Sequence, residues 1–141
     1  MPVQFVLLPL FVELLLTFGV MFGMMYFRTS TLSRGETRFE DISLREPNWP
    51  RRATQFGYAF ANQFELPVLF YVLTILVIIT HHADLLFVLL AWIFVLMRVL
   101  QAVVHVTNND VRVRGGFYGV GAIILFIMWI IFIVRIMLSL P

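Results

Sequence analysis

The chain has 141 residues, 61% hydrophobic and 13% charged, with a formal net charge of +2 and no cysteine. A soluble domain is about half apolar and about a quarter charged, so this composition points to a bilayer as the solvent. The lack of cysteine excludes disulfides, thiolate metal sites and a protein-borne thiol nucleophile. No basic run is interleaved with aromatics, which argues against nucleic-acid binding.

Four apolar runs, near Val3–Phe27, Arg52–Thr80, Asp84–Val106 and Gly115–Leu140, are each long enough to cross a hydrocarbon core about 30 Å thick, at roughly 20 residues per crossing. They leave nothing for a soluble domain. The expected fold class is all-α: one integral-membrane domain over residues 1–141, an up-down four-helix bundle with short connections. No basic residue precedes the first run. Its apolar stretch is also too long for a leader's h-region, so it reads as a span and not as a signal peptide. Glu13, near its middle, needs a partner or a proton at that depth. Gly19 and Gly23 form a G-x-x-x-G pair, and Gly115 and Gly119 another; such pairs permit close helix contact.

All ten basic residues are Arg. The first loop, Arg28–Arg51, holds Arg28, Arg34, Arg38, Arg45 and Arg51, with Arg52 just beyond, beside Glu36, Glu40, Asp41 and Glu46. The third loop holds Arg112 and Arg114, whereas the His81–Ala83 turn has no Arg. Basic residues concentrate in cytoplasmic loops, so loops one and three are expected inside and both termini outside. Arg135 dissents, but it is near enough to the C-terminus to snorkel outward. Asn48-Trp49-Pro50 reads as the start of the second helix, with Asn as cap, Trp at the interface and Pro in the first turn. His81 and His82 read as solvated turn residues.

The second run buries Asn62 and Glu65 at i and i+3, one helical face. Pro67 should kink that helix and free a carbonyl near Gln63. The turn at His81–Ala83 is short, so helices two and three must be antiparallel neighbours. Counted from that turn, Glu65 and Arg98 fall at nearly equal depth, roughly 25 Å at about 1.5 Å per residue. Asn62 falls opposite Gln101, and Tyr58 opposite His105. Tyr58, Asn62 and Glu65 share one face, as do Arg98, Gln101 and His105. The expectation is a polar seam with a Glu65–Arg98 ion pair. It serves either to fix helix register or to line a pocket that continues through His105 and Asn108 to Arg112 and Arg114. No hydrolase elbow, P-loop, zinc motif or dinucleotide signature is present, and no metal is expected.

The run Asn62-Gln-Phe-Glu65-Leu-Pro67 after an Arg-rich loop resembles the N-x-x-E…P signature of the membrane-associated proteins in eicosanoid and glutathione metabolism, the MAPEG family. Arg98, His105 and Arg112-Val-Arg114 resemble that family's helix-three pattern, and the wording is most similar to its bacterial inner-membrane branch. The resemblance implies a homotrimer binding glutathione between subunits on the cytoplasmic side, with lipophilic substrates arriving from the bilayer. Asn62, Glu65 and Arg112 match family positions. Tyr58 stands where active members have Arg, Leu66 where Tyr is common, and Gln101 and His105 where eicosanoid-type members have Tyr.

The resemblance therefore implies glutathione transfer or lipid-hydroperoxide reduction in which Arg112 or Arg114 stabilises the thiolate. Asn62, Glu65, Arg98, Tyr58, Gln101 and His105 would frame the tripeptide, and the departures imply classical activity that is weak or absent. Two rival readings differ in class. One is a non-catalytic scaffold or accessory subunit; the other is a small exporter using Glu13.

Overall fold

The computed structural model describes residues 1–44 and 48–141; Arg45, Glu46 and Pro47, which entered the charge reading of the first loop, lie outside the described residues. The described chain is helical: α1 (Val3–Ser33), a 3-10 turn at Phe39–Ile42, α2 (Arg51–Asn62), α3 (Leu66–Ile79), α4 (Leu85–Val106) and α5 (Val111–Met137). Four stretches are long and apolar enough to cross a membrane: Val3–Ser33, Arg51–Ile79, Leu85–Val106 and Val111–Met137. The all-α membrane bundle expected from hydropathy is thus observed.

The boundaries differ from the hydropathy edges because polar residues extend helices beyond the apolar core. α1 continues past Phe27 to Ser33, and the Thr31 hydroxyl donates to the Phe27 carbonyl (2.6 Å). α5 starts at Val111, before Gly115, because the Asp110 carboxylate accepts from the backbone N–H of Arg112 (3.0 Å). Asp84 caps α4 in the same way through Phe87 (2.9 Å). Such caps satisfy N–H groups that a helix leaves unpaired at its start.

The second span is two helices. α2 ends at Asn62 and α3 begins at Leu66, with Pro67 in its first turn. Pro has no N–H and clashes with a preceding turn, so it is tolerated where a helix starts and not where one continues. Asn48 does not cap α2; it stands three residues before Arg51, too far upstream, and its amide donates to the Asp41 carbonyl instead (2.6 Å). Pro50 holds the N-cap position. Trp49 lies under Arg28, whose guanidinium carbon is 5.1 Å from the ring centroid.

The core joins α3, α4 and α5 through Phe70, Leu73, Phe94, Val95, Leu125 and Met128, and Phe70 stacks on Phe94 with centroids 5.0 Å apart. Gly23 is used inside the chain: a Cβ there would run into the Phe56 ring, so glycine lets this α2 side chain pack against α1. Gly19, Gly115, Gly116 and Gly119 have open space where a Cβ would stand.

At the end opposite the Arg-rich loops, Arg135 does not simply snorkel. It pairs with Asp84 at 2.8 Å, tying α5 to the start of α4. His81 is exposed, but His82 is half-buried; its ring meets Phe132 edge-on and its Nε2 lies 3.0 Å from the Leu140 carbonyl. Those contacts pin the turn against the C-terminal end of α5, where the sequence suggests only solvated residues.

Candidate functional site

The Arg-rich end is organised by how α2 meets α4. Two α2 side chains reach the carbonyls that α4 leaves unpaired as it ends: Arg52 Nη1 donates to Val106 O (2.9 Å) and Gln55 Nε2 to Thr107 O (3.1 Å). Cationic and amide donors suit a helix C-terminus, which carries partial negative charge. Neither residue stands out in the sequence, because the cap joins elements more than fifty positions apart.

One turn deeper, Arg98 Nη2 donates to the Asn62 carbonyl (3.0 Å), and the Asn62 amide meets His105 Nδ1 (3.4 Å). An amide N–H₂ can only donate, so Nδ1 accepts and the ring proton sits on Nε2, which has no partner. The Asn62 carbonyl is the group the break exposes. The Glu65 N–H also reaches that carbonyl (3.3 Å), so Arg98 adds a second, charged donor at the α2–α3 break, near the carbonyl predicted from Pro67. Gln101 and His105 are buried beside Arg98.

Three of the expected facing pairs change. The Glu65–Arg98 ion pair is not formed: among the described residues the ion pairs within 4.0 Å are Arg34–Glu36 and Arg135–Asp84. Glu65 is exposed, whereas Arg98 is 1% exposed. The carboxylate acting most strongly on Arg98 is Glu13 of α1, with Glu65 weaker. Asn62 bonds His105 and not Gln101. Tyr58 is 59% exposed whereas His105 is buried, and Tyr58 borders a cavity of about 620 Å³ with Met24, Arg28, Trp49 and Phe60. One cause underlies all three. The depth count assumes a continuous second helix, and the break turns α2 relative to α3 and leaves Glu65 as the non-helical residue before Leu66.

Arg114 Nη1 bonds Asn109 Oδ1 at 2.7 Å, and Arg112 is exposed. The structure therefore gathers Asn62, Arg98 and His105 into one partly buried network with Gln101 beside it. It leaves Tyr58, Glu65 and Arg112 exposed on the surface of the chain. No group of His, Asp and Glu that would hold a metal occurs among the described residues.

The model of the MAPEG family matches residues 6–134. No curated protein and no solved structure matches the chain.

Proposed function

Because the chain belongs to the MAPEG family, we propose that it works as a homotrimer whose subunits together form a thiol-tripeptide site around Asn62, Glu65 and Arg112. The observation that carries this reading is Glu65: a carboxylate at a break in an apolar span, exposed on the surface of one subunit. A charge at membrane depth is costly against lipid and normally faces protein or a polar cavity. A neighbouring subunit is the natural cover, and Tyr58 and Arg112 are exposed beside the same requirement. Arg112 would hold a bound thiol as thiolate, since a nearby cation lowers a thiol pKa.

The test is saturation binding of glutathione to the purified protein, with its mass measured under native conditions in mild detergent. The expected result is a trimer that binds, with binding weakened about 10- to 100-fold in Arg112→Ala if one charge-assisted hydrogen bond is lost. A monomer, or a trimer without measurable binding, would count against it.

A second reading, a non-catalytic scaffold in the same membrane family, is favoured by the internal bonds of Asn62 and Arg98, which leave the seam largely engaged within the subunit. Trimer without binding is its expected outcome. The exporter reading loses support, because Glu13 is fully buried within the subunit near Arg98.

Orientation follows the Arg bias. Loops one and three face the cytoplasm of a bacterial inner membrane, and both termini face out. An impermeant thiol reagent on intact cells should label Ala83→Cys and spare Ser33→Cys. The reverse pattern overturns the orientation.

A further inference from the structure

A chain of hydrogen bonds runs through the turn between α4 and α5, and two of its links come from α2. The turn serves itself at Val103, whose carbonyl accepts from the Thr107 hydroxyl (2.6 Å), and at Val104, whose carbonyl accepts from the Asn109 N–H (2.8 Å). The Val106 and Thr107 carbonyls are taken instead by Arg52 Nη1 (2.9 Å) and Gln55 Nε2 (3.1 Å). Gln55 is buried. Arg52 is exposed, but its guanidinium carbon stands 6.0 Å from the centroid of the Phe27 ring, so α1 steadies it.

Beyond Thr107 the links continue toward Arg112. Asn109 is left-handed (φ 55°), a conformation that Asn tolerates better than most residues, and its Oδ1 accepts from Arg114 Nη1 (2.7 Å). Asn108 Oδ1 accepts from the Asp110 N–H (3.0 Å), and Asp110 Oδ1 from the Arg112 N–H (3.0 Å). Each residue from Val106 to Asp110 is thus tied, so a shift where α2 grips the turn is carried to the start of α5. Asn108 and Asp110 are exposed, and exposed bonds open easily, which leaves the grip from α2 as the firm end of the chain. The same helix carries Asn62, bonded to His105 (3.4 Å).

We propose that Arg52 and Gln55 are positioning residues that fix the α4–α5 turn, and with it Arg112, relative to Asn62. The proposal rests on the thiol-site reading for what Arg112 meets, but not for where Arg112 stands.

Hydrogen–deuterium exchange on the full chain in detergent tests the placement. It compares the native protein, Arg52→Gln, Arg52→Lys and Gln55→Leu at the amides of residues 108–114, with residues 125–137 as internal reference. Arg52→Gln and Gln55→Leu should each speed exchange at 108–114 by about three- to tenfold, the effect of one hydrogen bond, while the reference stays unchanged. Arg52→Lys keeps a charged donor and should stay within about twofold of native. Arg52→Gln alters an exposed side chain and decides the matter should Gln55→Leu not fold. The second readout is the ultraviolet thiolate absorbance of bound glutathione as pH is raised. Its midpoint should rise by about one pH unit in Arg52→Gln and Gln55→Leu, because a displaced cation lowers a thiol pKa less. A variant that only loses stability leaves that midpoint in place. Unchanged exchange at 108–114, a rise spread equally over 125–137, Arg52→Lys as fast as Arg52→Gln, or an unmoved midpoint would each overturn the proposal. Native protein that binds no glutathione would overturn the thiol reading alone, and exchange then decides the placement by itself.

Discussion

Replacing Arg98 with glutamine should destabilise the protein severely, whereas Glu65→Gln should change stability little. Arg98 lies at the meeting point of three elements: it donates to the Asn62 carbonyl at the end of α2, it packs under Tyr118 of α5, and Glu13 of α1 is its strongest counter-charge. Removing it leaves Glu13 buried without its counter-charge and the Asn62 carbonyl with only the long Glu65 N–H bond (3.3 Å). Breaking a buried charge pair from one side costs about 3–5 kcal/mol. Glu65 is exposed and forms no ion pair with Arg98, so neutralising it isolates no buried charge. The measurement is thermal unfolding in one detergent for the two single variants, Glu13→Gln and the double Glu13→Gln/Arg98→Gln. The double should lose clearly less than the two singles added, because it removes both members of one interaction. Equal losses in Arg98→Gln and Glu65→Gln, non-additive when combined, would restore the pairing that a depth count suggests.

That contrast marks the boundary of what was legible. The four spans are written in hydropathy alone, because the bilayer imposes a length of apolar sequence on any helix that crosses it. A kink was legible, since Pro67 removes an N–H wherever it sits; that the helix stops at Asn62 and restarts at Leu66 was not. The gathering of Asn62, Arg98 and His105 follows in part from helical spacing and the antiparallel return at the short turn; it is α2 that packs on α4 there, while α3 meets α4 through side chains such as Phe70 on Phe94. The partner of Arg98 was not legible. α1 reaches α4 through a long loop, and no count along the chain fixes its depth or rotation, so Glu13 showed only as a carboxylate in need of company. Glu65 was misplaced for a related reason: helical spacing holds only within a helix, and Glu65 stands between two. The clamps by Arg52, Gln55 and Arg135 share that character. Each joins residues far apart in sequence, through side chains that by themselves read as ordinary surface charge or amide.

Tyr58→Arg should strengthen glutathione binding and raise turnover with a chromogenic electrophile, from a native level that is weak or undetectable. Tyr58 is a neutral phenol at the position where the resemblance places a cation. A hydrogen bond from a charged group contributes roughly 1.5–3 kcal/mol, which is on the order of 10- to 100-fold in affinity at about 1.4 kcal/mol per tenfold. The geometry admits the change. Tyr58 is largely exposed and borders a cavity of about 620 Å³, so a guanidinium there has room and needs no rearrangement of the core. Arg28 lines the same cavity, but it is engaged with Trp49, and its charge would oppose a new arginine only moderately at that exposure. Gln101 and His105 cannot substitute for the missing cation or for the family's phenols, because both are buried in the subunit and His105 is bonded to Asn62. Arg112 remains exposed and able to meet a thiolate, which is why the expected native activity is low and not zero. The assay compares the native protein, Tyr58→Arg, and Tyr58→Arg combined with Arg112→Ala. A gain in the first variant that disappears in the second would place the tripeptide across α2 and the start of α5. Robust native turnover that ignores Arg112→Ala would place the chemistry elsewhere on the subunit.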